Sequence, residues 1–316
     1  MNLQITQNLQ LPVLISHTPE TTQKKFLEFF VANYRNKNTR QAYFRNCCQF
    51  LDWAANRNLT LHDLEPLHCA AYIENLSQQI SAPSVKQHSS AIKMLFDWLV
   101  VNQCVTVNPM AGVKPPKHSY QEGRTPILTA KQARQLFDSI DGDRLIDYRD
   151  RALIAAMLFS FSRISAALAM NVKDYIINGS DRFFQLNEKG GKTKKVPVHH
   201  LAARYIEEYI HKAELQDQQS TPLFRSFYQG GKKIKEKRFN RGNAWSMVKR
   251  KVKKAGLSSL LTNHSLRGTG ITNFLENDGD LETAAWIAGH TDVRTTKLYD
   301  RRKQVITQSE IERIRI

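Results

Sequence analysis

The sequence predicts a mainly α-helical protein of two domains, with one small antiparallel β-sheet confined to the second. Three observations carry this. Residues 20–103 show only helical periodicity, in four segments separated by short breaks. Residues 108–126 then interrupt all periodicity with four prolines, two glycines and four Lys, Arg or His side chains. Beyond them, strand-like stretches occur only between 182 and 200, among several helical segments.

The first helix is expected in TPETTQKKFLEFFVANY, with Thr18 or Thr21 as its cap and Phe26, Phe29, Phe30 and Tyr34 on its apolar face. The second, NKNTRQAYFRNCCQFLDWAANR, lines up Tyr43, Phe44, Phe50, Leu51 and Trp53. A third is expected in LHDLEPLHCAAYIENLSQ, preceded by Thr60 or His62. A fourth, SAPSVKQHSSAIKMLFDWLVVNQ, opens on Ser81 or Ser84 near Pro83. These place one small helical domain at 18–108 and an extended, surface-crossing linker at 109–126.

The second domain is expected over 127–304. Its helices are predicted at 129–139, 146–160, 163–170, 200–215, 240–255, 264–276 and 281–288. RFFQLNE (182–188) and KKVPVHH (194–200) flank the polar turn KGGKT and are expected to form a hairpin. QGGKKIKEKR (229–238) reads as a basic loop insertion. The tail VITQSEIERIRI (305–316) places apolar residues Ile306, Ile311, Ile314 and Ile316 after the second domain.

Composition narrows the classes of function. No apolar run approaches the ~18–20 residues of a membrane span, and MNLQITQNLQLPVLISHTPE has no basic residue before its apolar patch, unlike a secretory leader. A cytoplasmic, nucleoid-associated protein with no membrane partner is expected. Cys47, Cys48, Cys69 and Cys104 contain no C-x-x-C pair, so reduced thiols are expected and a structural zinc is not. The net charge is +17 and unevenly spread. Residues 1–110 hold nine basic and seven acidic side chains, whereas residues 111–316 hold 37 and 22. Such a concentrated excess favours a polyanion, since phosphate neutralisation releases counterions.

Several stretches suggest chemistry. In NHSLR, His264 and Arg267 stand at i and i+3, on one face of a helix near its N-terminus, where an anion is favoured. Arg163 interrupts the apolar segment FSFSRISAALAM and needs a partner if buried. Lys189 sits in the polar turn NEKGGKTKK. In GHTDVRTTKLYDR, His290 and Tyr299 stand nine apart, a rotation of about 900° that would place them on opposite faces of an unbroken helix. A glycine cap at Gly289 and a new helix, VRTTKLY, capped by Asp292 would break the path and let the two converge.

Taken together, Arg163-Ile164-Ser165, Lys189, His264-x-x-Arg267, Gly289-His290 and Tyr299 resemble the tyrosine recombinases, the phage-type integrases and Xer-like site-specific recombinases, in order and in spacing. HSLR and TTKLYDR look especially like integrases of bacterial mobile elements. The resemblance covers almost the entire chain. It implies a C-shaped clamp on double-stranded DNA, formed by a helical, SAM-like core-binding domain and a catalytic domain. It also implies a homo-tetramer on paired recombination sites, half of whose protomers cleave at a time.

By this resemblance Tyr299 is the nucleophile, giving a 3′-phosphotyrosyl link and a free 5′-hydroxyl. Arg163 and Arg267 clamp the phosphate, His290 donates to it, Lys189 is the general acid, and His264 accepts a proton near Tyr299 or organises hydrogen bonds. No metal and no cofactor are called for. The tail is expected to dock on a neighbouring protomer, with packing on its own domain as the alternative. One departure stands out: the family commonly carries Arg-x-Ser-Glu, but Ala166 occupies the acidic position here. This would loosen the site or shift the task to Asp150 or Asp174. Two other readings stay open: a type IB topoisomerase that religates the same strand, and a catalytically silent DNA-binding protein.

Overall fold

The computed structural model describes residues 11–117, 125–187, 191, 193–228, 231 and 233–302. Lys189, Gly190 and the tail 305–316 lie outside the described residues. The chain divides into two compact units, Met1–Ser119 and Tyr120–Ile316. The architecture is mainly helical with small antiparallel sheets, as expected. Among the described residues no helix is long and apolar enough to cross a membrane.

The first unit contains α1 (Val13–Ser16), α2 (Glu20–Asn33), α3 (Lys37–Ala55), α4 (Pro66–Gln79) and α5 (Ala82–Val101). Their inward faces build an aromatic core in which Phe26, Phe29, Phe30, Phe50 and Phe96 are essentially sealed from water. Edge-on ring pairs recur through it, such as Phe26–Phe30 at 5.1 Å and Phe50–Tyr72 at 5.0 Å, the geometry that ring quadrupoles favour.

Two helix starts in this unit, those of α2 and α4, differ from expectation. Position 19, not a threonine, begins α2: Thr18 Oγ1 donates to Ile15 O and closes α1, while Gln23 Nε2 donates to Ser16 O and Thr18 O. Neither Thr60 nor His62 starts α4. Asp63 accepts from the Thr60 backbone and hydroxyl in a local turn, and the helix waits for Pro66, with His68 Nδ1 accepting from the Glu65 amide. Ser81 is the N-cap of α5, as expected, although its hydroxyl pairs with that of Ser84 at 3.0 Å instead of capping the backbone. The segment expected to be linker begins as structure. Asn108 donates to Asp97 and accepts from the Met110 amide, and Met110 is buried in the first unit's core.

The second unit is centred on α7 (Leu145–Phe159), whose run Ala152–Met157 is wholly buried. Around it lie α6 (Ala130–Asp138), α8 (Ile164–Ala169), α9 (His200–Lys212), α10 (Arg241–Lys254), α11 (Asn263–Glu276), α12 (Leu281–Ala288) and α13 (Val293–Lys297). Strands β1 (Tyr175–Asn178), β2 (Asp181–Asn187) and β3 (Thr193–Pro197) form one antiparallel sheet in that order. The last two match the predicted hairpin, and β1 joins them through a Gly179-Ser180 turn.

One reading is corrected. QGGKKIKEKR is not a loop insertion, because Ile234–Arg238 forms β5, paired with β4 (Arg225–Phe227). Its sequence hides the strand: Arg238 turns inward to donate to Met170 O at 2.8 Å and Asn171 Oδ1 at 2.6 Å. The four cysteines are free thiols, and burial pushes those of Cys48 and Cys69 up to about 12.

Candidate active site

Four chain segments meet on one side of the second unit. The first is the turn from α7 to α8. Phe161 sits there at φ 52°, a left-handed conformation that a bulky residue adopts only when packing demands it. Its ring is buried edge-on against Phe274, and its carbonyl accepts from Arg267 Nη1. The turn brings Arg163 to the N-cap of α8, half-buried on the wall of a groove of about 870 Å³.

The second segment is the first turn of α11. Thr262 precedes it, with its amide donating to Ser265 Oγ at 3.0 Å, and the i, i+3 spacing puts His264 and Arg267 on the same groove. His264 is open to the groove, whereas Arg267 is almost fully buried. Beyond its bond to Phe161, Arg267 donates from Nη2 to Ala288 O and to His290 Nε2, both at 2.7 Å.

The third segment is the end of α12. Gly289 takes the left-handed conformation, φ 63°, which closes the helix at little cost for a residue without Cβ. His290 follows immediately, with its amide bonded to Ala285 O. Because a guanidinium can only donate, Nε2 of His290 must be the acceptor, and Nδ1 must carry the hydrogen it gives to Thr296 Oγ1 at 2.8 Å. Burial, then the charges of Arg267, Arg163 and Lys194 and the neighbouring His264, hold this imidazole down at about 4. Partial burial, then Arg267 and Arg163, also lower His264 from the usual imidazole range.

The fourth segment carries Tyr299. Asp292 caps α13 by accepting from the Arg294 amide, as expected, but the helix stops at Lys297, so Tyr299 stands in the turn after it. Its carbonyl accepts from Thr272 Oγ1 at 2.8 Å, and its ring lies nearly parallel to that of His290 with centroids 6.1 Å apart. The hydroxyl lies 2.9 Å from His264 Nε2. Gly268 makes room for this ring: a Cβ there would come within 3.1 Å of Tyr299 Cε1.

The structure thus gathers Arg163, His264, Arg267, His290 and Tyr299. Sequence reasoning missed Thr296, Thr272 and Phe161. The doublet in TTKLY was the one signal for the first, since a threonine facing inward from a short helix needs a hydroxyl partner. The two acids considered in place of the residue at 166 are engaged elsewhere. Asp150 pairs with Arg149 at 2.5 Å, and Asp174 accepts from the Asn171 amide at 2.7 Å. Ala166 is itself buried. Among the described residues no group of three or more His, Cys, Asp or Glu side chains is placed to hold a metal ion.

Residues 126–304 match the phage integrase family, and residues 23–104 match the phage integrase N-terminal SAM-like domain. The chain belongs to the phage integrase family, the tyrosine recombinases, enzymes that cleave and rejoin DNA. A tyrosine recombinase XerD of Corynebacterium glutamicum is 27% identical over 274 residues, spanning 83% of this chain and 86% of that protein. Two solved structures share the fold. The XerH site-specific recombinase bound to its difH substrate, a pre-cleavage complex, aligns with TM-score 0.65 and 18% identity over 87% of this chain and 78% of that one. A lambda integrase (75–356) dimer bound to a COC′ core site aligns with TM-score 0.67 and 17% identity over 89% and 95%.

Proposed function

We propose that this chain recombines specific double-stranded DNA sites by using Tyr299 as a covalent nucleophile. The observation that carries the reading is the 2.9 Å approach of the Tyr299 hydroxyl to His264 Nε2, beside a groove that Arg163 and Arg267 also line. A phenol that attacks a phosphodiester must lose its proton, and a neutral imidazole at hydrogen-bond distance accepts it. Depression of the His264 pKa keeps that imidazole neutral at physiological pH.

In the forward step the Tyr299 oxygen bonds to phosphorus and the bond from phosphorus to the 5′-oxygen breaks. The phenolic proton passes to His264, and the leaving oxygen takes a proton from Lys189 to become a free 5′-hydroxyl. Attack by the 5′-hydroxyl of a partner strand reverses these transfers, so the phosphotyrosine conserves the bond energy without a nucleotide cofactor. Arg163 and Arg267 stabilise the non-bridging oxygens, where charge gathers. His290 orients Arg267 in the free protein. It donates to the phosphate once Arg267 turns toward the DNA and Nε2 takes up a proton from solvent, which the phosphate's negative charge favours.

The same reading places the protein in a homo-tetramer on two sites, with most contacts going to phosphates and the +17 charge supplying much of the affinity. A cytoplasmic, nucleoid-associated enzyme of a bacterial mobile element fits the sequence pattern, with the first unit as a core-binding domain and the tail docking on a neighbouring protomer.

The test uses a nicked suicide duplex selected from random sequence for binding. Wild type should form a denaturant-resistant protein–DNA adduct and Tyr299→Phe should not. No adduct in wild type would sink covalent catalysis, and an adduct in the variant would sink the assignment of Tyr299. Relaxation of supercoiled plasmid without strand exchange would favour a topoisomerase instead.

A further inference from the structure

We infer that Lys194 is a positioning residue of this site: it clamps the C-terminal end of α12 to β3 and so holds the Gly289–His290 turn against Arg267. The inference rests on the reading of that site as the strand-cleavage centre.

Alternation along β3 sets the direction of the side chain. Val196 is buried in the core of the second unit, and Lys194, two residues earlier, leaves the strand on the same face opposite buried Leu186. Lys195 takes the other face, with its ammonium 4.1 Å above the Phe183 ring. From the core side, Lys194 Nζ reaches the end of α12, donating to Ile287 O and lying 3.5 Å from Trp286 O. The next carbonyl, Ala288 O, accepts from Arg267 Nη2 at 2.7 Å.

Two consecutive carbonyls at one helix end are therefore taken by two cations from different elements, one on β3 and one on α11. The last carbonyls of a helix have no partner within it and carry the negative end of its dipole, so both bonds are favourable. The left-handed turn at Gly289 follows directly, and His290 comes next. Losing the Ile287 bond leaves the end of α12 held by Arg267 without its tie to β3. The imidazole that depends on this end then loses its fixed relation to the guanidinium.

The test compares the full-length Lys194→Met, Lys194→Gln and Lys194→Arg variants with wild type. The first readout needs no catalysis. Nitrogen-15 NMR of labelled histidines follows the His290 ring, assigned by the signal missing in His290→Gln. Arg267, Arg163, Lys194 and His264 are the groups whose charge it feels. In Lys194→Met its titration midpoint should move up and its single tautomer should become a mixture, while Lys194→Arg should resemble wild type. The second readout is single-turnover cleavage of the suicide duplex. Lys194→Met should cleave roughly 10- to 100-fold more slowly, as expected for a small displacement of a reacting group. Its Kd should stay within about threefold of wild type, a change of under about 0.7 kcal/mol. Lys194→Arg should recover most of the rate. Lys194→Gln, which keeps a donor without the charge, should fall between them and carries the comparison if Lys194→Met does not fold.

An unchanged His290 spectrum in Lys194→Met or Lys194→Gln would overturn the inference, as would an arginine variant as slow as methionine. A rate loss matched by equal loss of affinity would make Lys194 a phosphate contact instead. Failure of wild type to form the adduct would remove the cleavage reading, yet the NMR comparison would still decide whether Lys194 positions His290.

Discussion

Arg267 donates to His290 Nε2 at 2.7 Å, and this one bond settles the protonation state of the imidazole in the free protein. A protonated ring would set two donors against each other, so His290 must be neutral with its hydrogen on Nδ1, facing Thr296.

A pH dependence of stability follows. His290 is held at about 4, against 6.5 for an unperturbed ring. Between those values the unfolded chain binds more protons than the folded one, so stability rises with pH across the window. The contribution is complete above about 6.5 and is lost as pH falls toward 4. After allowance for solvent screening it amounts to about 1–2 kcal/mol. Urea unfolding of wild type and His290→Gln from pH 5 to 7.5 should show a difference that narrows as pH falls. A difference that stays constant would contradict the assignment.

His264 should govern the rate. Replacing it with asparagine removes the proton acceptor nearest Tyr299 and should slow single-turnover cleavage by about 10²–10⁴, the usual range for a general base. Because its pKa is depressed, wild-type cleavage should hold through neutral pH and decline only on the acid side of the ordinary imidazole range. Rates measured from pH 5.5 to 8 should show this acid limb in wild type and its loss in His264→Asn.

Gly268→Ala probes the seat of the nucleophile. The added Cβ would lie 3.1 Å from Tyr299 Cε1 and 3.2 Å from Ile127 Cγ2, so the ring must shift by a few tenths of an ångström. Cleavage should fall roughly tenfold, a modest misplacement of a reacting group. The thermal midpoint should move little, because the better helix propensity of alanine, about 1 kcal/mol, offsets the crowding. Wild-type cleavage by this variant would show that the tyrosine moves far from this position before attack.

DNA affinity should be steeply salt-dependent, as befits a chain of net charge +17. If six to ten phosphates are neutralised, affinity should drop by about 10³–10⁵ between 50 and 200 mM salt. Fluorescence anisotropy titrations at several salt concentrations measure the slope. A slope near zero would mean that uncharged contacts dominate.

Legibility in the sequence followed the range of the interactions involved. The helices of both units were readable because an apolar face repeats with the helix turn, as in α2 with Phe26, Phe29 and Phe30. Starts were less readable. Thr18 and Thr60 carry capping chemistry, but their hydroxyls serve the preceding turn in one case and Asp63 in the other. Strand β5 was not readable, since Ile-Lys-Glu-Lys-Arg has no apolar alternation and its identity depends on pairing with β4.

By itself the sequence determined the features that local geometry controls. His264 and Arg267 share a helix face, Gly289 ends α12 and Asp292 starts α13, all within a turn or two of chain. It also determined the ordered motif of a family member. Tertiary structure alone decided how those groups face one another. Arg267 and Phe161 lie 106 residues apart, and Tyr299 and His264 lie 35 apart. The inward turn of the guanidinium, the tautomer of His290 and the left-handed backbone at Phe161 arise from contacts between such distant segments. A buried donor must find an acceptor wherever the packed fold presents one, and the local sequence holds no record of where that is.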